Sequence, residues 1–418
     1  MTDLTRDAAL ALDAADPLAP LRNQFHIPDG LIYLDGNSLG VLPRATPARV
    51  QQVVQQEWGQ GLIGSWNAAG WIALPQRVGD KIARLVGAGA GELVCADSTS
   101  VNLFKVLSAA LSIAQADAPG RRVILSERSN FPTDLYVAES LARERGFTLV
   151  LAETDDIPAR LDASVAVLML THVNYRTGHM HDMAALSGAA HAVGALTVWD
   201  LAHSAGAVPV DLTGDRADFA IGCGYKYLNG GPGAPAFVWA HPRHADRFWQ
   251  PLAGWMGHAA PFEFTPGYRP APGIARYLCG TPPVLSMAAL ECGVDTLLAA
   301  EPFGGMAALR AKSLALTRLF AEEVRVRCPE LALVSPTDDA RRGSQVCFAH
   351  AELGYPVVQA LIARGVIGDF RAPDVLRFGF TPLYTRFADA FDAAVHLQQV
   401  LASGEWRRPE FNRRHAVT

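Results

Sequence analysis

Between about residues 90 and 240, short apolar runs alternate with stretches of helical periodicity, and no other feature constrains the fold as tightly. Strand-like runs at 93–96, 123–126, 148–152, 165–170 and 196–199 are separated by helical stretches that include 100–116, 132–145 and 183–193. Runs this apolar belong to strands buried on both faces. The expectation is an α/β fold, a mostly parallel sheet with helices on both sides. Beyond residue 285 the pattern changes to two long helices, 285–300 and 305–327, followed by strands 344–349 and 375–379 that read as alternating and half exposed. With 418 residues, half of them hydrophobic, the chain has material for two domains. We expect an N-terminal arm over 1–45, a large domain over 46–285 and a smaller C-terminal α+β domain over 286–418.

Two of the strands deliver chemistry. The run at 197–200 ends in Asp200, and a further apolar run at 219–223 is followed by Lys226 in a glycine-rich loop. Open α/β sheets bind ligands beyond the carboxyl ends of their strands, so an acid and an amine are aimed into one crevice. Alone, such an aspartate is usually a turn or cap residue and such a lysine is usually solvated. Together they fit pyridoxal 5'-phosphate (PLP), which takes a lysine amine for its Schiff base and a carboxylate beside its ring nitrogen. The phosphate needs hydroxyls and amides at a helix start. Thr99 and Ser100, at a strand-to-helix junction, offer both, although the same residues serve equally as a helix cap. Phe131 follows the next strand, where its ring either stacks on the pyridine or packs against the following helix.

Charge and cysteine usage narrow the remaining classes. A net charge of -5 leaves no basic footprint for nucleic acid or an anionic membrane. The longest apolar runs fall short of the roughly 20 residues that a membrane span needs. Met1 to Asp7 lacks the basic start and apolar core of a secretory leader, so a cytoplasmic protein is expected. Six cysteines without a Cys-x-x-Cys spacing suggest neither a zinc site nor a disulfide framework. His179 and His181 lie in a polar turn and have no partner at zinc spacing, so no metal is expected there.

Taken together, the motifs resemble the kynureninase family, in the class V aminotransferase-like group of fold type I PLP enzymes. The resemblance runs from Tyr33-Leu-Asp-Gly-Asn-Ser-Leu-Gly40 to Leu376-Arg-Phe-Gly-Phe-Thr-Pro-Leu-Tyr384. It implies cofactor contacts from Thr99, Ser100, Phe131, Pro132, Thr133, Asp134 and Thr171, from the Asp-x-Ala-His pair Asp200 and His203, and from Tyr225 beside the Schiff-base residue Lys226. It further implies that Trp255 and Thr281 reach the partner's active site in a homodimer. Gly280-Thr281 stands where some relatives have Ser-Asn. Arg377 resembles the family's carboxylate-binding arginine, with planar bidentate geometry suited to an amino acid, and Ser38 falls in the matching arm loop. Trp66, in a loop similar to the family's substrate-side loop, either meets the aromatic half of the substrate or packs in a core. The implied reaction is hydrolysis of L-kynurenine to anthranilate and L-alanine, with 3-hydroxykynurenine as a second substrate giving 3-hydroxyanthranilate, in tryptophan catabolism and NAD biosynthesis. The resemblance also implies that Tyr225 is the acid at the β-carbon. A cysteine desulfurase, the nearest rival within this fold, needs a reactive thiol on a mobile loop; Cys347, between Val346 and Phe348, reads instead as a strand residue.

Overall fold

A computed structural model describes residues 5–350 and 354–414. The first four residues, on which part of the leader reading rests, lie outside the described residues. Seven strands form the central sheet in the order Leu93–Ala96, Ala236–Ala240, Phe219–Gly222, Leu196–Asp200, Val165–Thr171, Val123–Glu127 and Thr148–Ala152. Only Ala236–Ala240 runs antiparallel to its neighbours. The strands alternate between two apolar layers. Val94, Ile124, Val167, Val198 and Ile221 bury one face; Cys95, Leu125, Leu168, Trp199 and Ala220 bury the other. This two-sided burial explains why the strands read as continuous apolar runs.

The expected helices fall close to their observed bounds, Thr99–Asp117, Pro132–Arg145 and Met183–Ala192. Local signals set these ends: Pro132 begins the second and Gly146, with φ 70°, ends it. The helix Val284–Leu298 places Met287, Leu290 and Val294 in the core beneath the sheet.

A second core lies between the helices Gly305–Arg327 and Phe387–Ser403 and a four-stranded antiparallel sheet that includes Gln345–Ala349, Asp369–Arg371 and Val375–Gly379. The strands do alternate, but they are buried on both sides rather than half exposed. Val346, Phe348, Leu376 and Phe378 face the helices. Gln345, Cys347 and Arg377 share the other face, which the large domain covers through Asn174 and Tyr175. The N-terminal arm also joins this unit: helix Arg6–Ala15 contributes Ala9 to its core, and Ile32–Tyr33 pairs with Val366–Ile367.

Candidate active site

The carboxyl ends of the central strands converge on a cavity of about 160 Å³. Its walls include Thr99, Ser100, Phe131, Thr133, Asp134, Thr171, Asp200, His203, Tyr225 and Lys226, so ten residues singled out by sequence share one space. Pro132 supplies the first residue of the helix that carries Thr133 and Asp134. At the start of helix Thr99–Asp117, the Ser98 side chain accepts from Val101 N. The amides of Thr99 and Ser100, which the helix itself does not use, are left for an anion. Phe131 is 43% exposed at the mouth and meets Tyr175 edge to face at 5.3 Å, so it is not a core staple.

Lys226 lies in a tight loop held by Asn229 N donating to Lys226 O (2.9 Å) and Gly230 N to Gly224 O (2.9 Å), with Tyr227 and Leu228 buried as anchors. The arm loop seals it from behind. Gly40 N donates to Tyr225 O at 2.8 Å, and a Cβ on Gly40 would stand 2.5 Å from Lys226 O, so only glycine permits this approach. On the cavity side the Lys226 amine lies 3.0 Å from His203 Nε2.

Two buried carboxyl groups sit at the base. Asp200 accepts from Ala202 N at 2.7 Å, and Asp134 accepts from Thr171 Oγ1 at 3.3 Å. Burial, and then the charge of Asp200, hold Asp134 well above the usual carboxylate range. Burial also raises Asp200, but the nearby Lys226 cation opposes this. One proton is therefore best held on Asp134, leaving the negative charge on Asp200. Burial and the Lys226 charge keep His203 neutral, and burial keeps the Tyr225 phenol protonated.

Arg377 and Ser38 form a second cluster beside this cavity. The Arg377 side chain, 1% exposed, grips Asp369 with Nε (2.7 Å) and Nη2, and donates from Nη1 to Tyr175 O (2.6 Å) and from Nη2 to Ser38 Oγ (2.7 Å). Arg371 pairs with the same carboxylate at 2.7 Å. Tyr175 lines the Lys226 cavity, and its carbonyl joins the two clusters. Trp255, Trp66 and Thr281 do not line that cavity. Trp66 and Trp255 meet edge to face at 6.0 Å in a separate open apolar hollow with Ile63, Phe262 and Phe264, and Thr281 is exposed.

Sequence reasoning missed Tyr175, Asp369, Arg371, Gln345 and Glu127. Tyr175 lies four residues beyond Thr171, but its carbonyl is what it offers Arg377, and backbone contacts leave no side-chain signal. Asp369 had none, being eight residues from Arg377 across a hairpin. His181, weighed as a metal ligand, instead pairs with Glu127 at 3.2 Å. Among the described residues no group of metal-ligating side chains is present.

A lysine amine in a crevice, a charged acid at its base and a helix start at its mouth fit the donor set that PLP requires, and Asp200, Lys226, Thr99 and Ser100 are the residues that could hold it. When bound, it supplies an aldehyde for the lysine and an electron-withdrawing ring. Fold and site define a PLP-dependent enzyme of fold type I. The fold is similar to an apo cysteine desulfurase from Thermococcus onnurineus (TM-score 0.78, 18% identity, 92% of this chain and 98% of that one). It is also similar to a lysine-to-alanine mutant of C-DES with glycine covalently linked to its PLP cofactor (TM-score 0.75, 16% identity, 90% and 98%). The model of the kynureninase C-terminal domain matches residues 309–397. Kynureninases of Burkholderia pseudomallei and Pseudomonas fluorescens are 58% and 57% identical over 419 residues, covering 99% of this chain and all of each relative. The chain belongs to the kynureninase family and is a PLP-dependent hydrolase.

Proposed function

We propose that the enzyme hydrolyses L-kynurenine to anthranilate and L-alanine, and accepts 3-hydroxykynurenine in the same way, within tryptophan catabolism and NAD biosynthesis in the cytoplasm. The observation that carries this reading is the pairing of the Lys226 cavity with a substrate-side guanidinium, Arg377, joined through Tyr175. In this reading Lys226 holds the cofactor and moves the α-proton, and Asp200 keeps the ring nitrogen protonated. Tyr225, kept protonated by burial, donates to the β-carbon. Arg377 and Ser38 orient the α-carboxylate. That carboxylate must share Arg377 with Asp369, so binding involves a rearrangement of this ion pair. Trp66 lies outside this chain's Lys226 cavity, beside Trp255, and in this reading meets a substrate's aromatic ring only in the site of a second copy.

A homodimer completes the site in this reading. Trp255 and Thr281 do not line their own chain's Lys226 cavity, and the apolar hollow beside Trp255 is rimmed by Ile63 (81% exposed), Phe262 (60%) and Phe264 (76%), a patch suited to a second copy. Cys347 argues against sulfur transfer from cysteine. It is fully buried, and burial pushes its thiol up to about 12, so a reactive thiolate is absent at that position.

The test is product analysis with L-kynurenine. Anthranilate and alanine in equal amounts, with no need of a keto acid, support the hydrolase. Turnover that requires an amino-group acceptor indicates an aminotransferase instead.

A further inference from the structure

Gln345 lies outside the cavity lining, on a strand of the small domain, yet it reaches the large domain beside His203. The residue is 1% exposed. Its amide nitrogen donates to the carbonyls of Asn174 at 3.2 Å and Tyr175 at 3.0 Å. Both N–H bonds are thereby used, and rotating the amide would abandon two buried carbonyls, so the end that carries Oε1 is fixed. Packing reinforces this: even a Cβ on Gly178 would come within 2.9 Å of Gln345 Cγ.

His203 is 3% exposed and turns Nε2 toward Lys226. Its other nitrogen, Nδ1, and Gln345 Oε1 are both sealed from solvent, and neither has a hydrogen-bond partner in the structure. Leaving such groups unpaired is costly, whereas a single Nδ1–H to Oε1 bond satisfies both. Burial, together with the cations Lys226, Arg377 and Arg371 that face the imidazole, keeps it neutral, and the adjacent Gln345 amide acts in the opposite direction. A neutral imidazole has one N–H, and its tautomer is set by the partner of the donating nitrogen.

We propose that Gln345 is a positioning residue that locks His203 in its Nδ1–H tautomer, so that the bare Nε2 accepts a hydrogen bond from the Lys226 amine. An acceptor at that point favours the protonated amine and steadies a proton arriving on Nζ. A residue of the small domain thus orients the acceptor that faces a lysine of the large one. The proposal rests on Lys226 being the reactive lysine, but the tautomer belongs to the protein without ligand and is tested separately.

The experiment is long-range 1H–15N correlation of the 15N-histidine-labelled full-length protein, with and without PLP, His203 being identified by loss of its signals in His203→Gln. The expected wild-type result is a protonated Nδ1 and an unprotonated Nε2. In Gln345→Leu the Nε2–H tautomer should gain population, and kcat should fall about tenfold with KM changing less than about threefold, the size expected for one lost hydrogen bond. An Nε2–H tautomer in the wild type overturns the proposal, and so does an unchanged tautomer in Gln345→Leu. If Gln345→Leu fails to fold, the wild-type spectrum decides.

Discussion

Asp134 and Asp200 divide their work through a difference of environment. Burial and the charge of Asp200 raise Asp134 well above the usual range, while Asp200 has the Lys226 cation and the Ala202 amide beside it. The sign for stability follows from this. The folded PLP-free protein holds the Asp134 proton more tightly than the unfolded chain, so this group favours folding at low pH and penalises it as pH rises through the ordinary carboxylate range. Asp134→Asn removes the titration. Its PLP-free melting temperature should exceed that of the wild type near about pH 7, with a margin that shrinks toward about pH 4; no margin at neutral pH would contradict the assignment. Tyr225 is protonated for a similar reason, burial outweighing all else. Tyr225→Phe should slow the step after anthranilate forms by about a hundredfold, the usual scale of one lost general acid. Pre-steady-state fluorescence checks this, since a burst of anthranilate followed by slow turnover is the expected trace and unaltered turnover counts against the role.

At the scale of elements, the site depends on loops that leave the strand ends in fixed directions. The segment after Val123–Glu127 is pinned by Glu127, which accepts from Ser129 Oγ at 2.8 Å and from Thr154, and lies 3.2 Å from His181 Nε2. Burial alone would raise this carboxyl, but these bonds bring it down to about 2. A depressed carboxylate stabilises the fold above its unfolded value and loses that effect as pH falls toward the folded one. Glu127→Gln should therefore cost about 3 kcal/mol near neutrality and progressively less toward about pH 2. Denaturant titrations at several pH values read this difference, and a cost independent of pH would show that Glu127 acts through packing alone. The strands themselves were legible because two-sided burial leaves continuous apolar runs, and Asp200 and Lys226 were legible because they follow such runs directly. The alternation of the Gln345–Ala349 strand suggests half exposure, yet the strand is buried, because Asn174 and Tyr175 of the large domain cover Gln345 and Arg377. Asp369 and Glu127 escaped notice because Asp369 meets Arg377 through the register of a hairpin and Glu127 meets His181 only through tertiary folding.

The whole molecule places the Lys226 cavity between the start of helix Thr99–Asp117, an arm loop and the unit that supplies Arg377, while Trp255 and Thr281 lie outside its lining. Within this account Phe264→Asp, which puts a charge into the exposed apolar hollow, yields monomers by sedimentation. It also weakens PLP retention by about tenfold or more, as expected when one subunit no longer completes the other's site. A dimer of unchanged strength would remove that hollow from the interface. The central claim, that Lys226 carries the cofactor on which kynurenine hydrolysis depends, has a direct test. The PLP-loaded enzyme is reduced stepwise with borohydride, and pyridoxyl-lysine is located by peptide mapping while anthranilate formation is followed. The account predicts one modified residue, Lys226, with activity falling in proportion to its modification and no anthranilate from Lys226→Ala. Modification of another lysine, or anthranilate formation that survives either treatment, would contradict it.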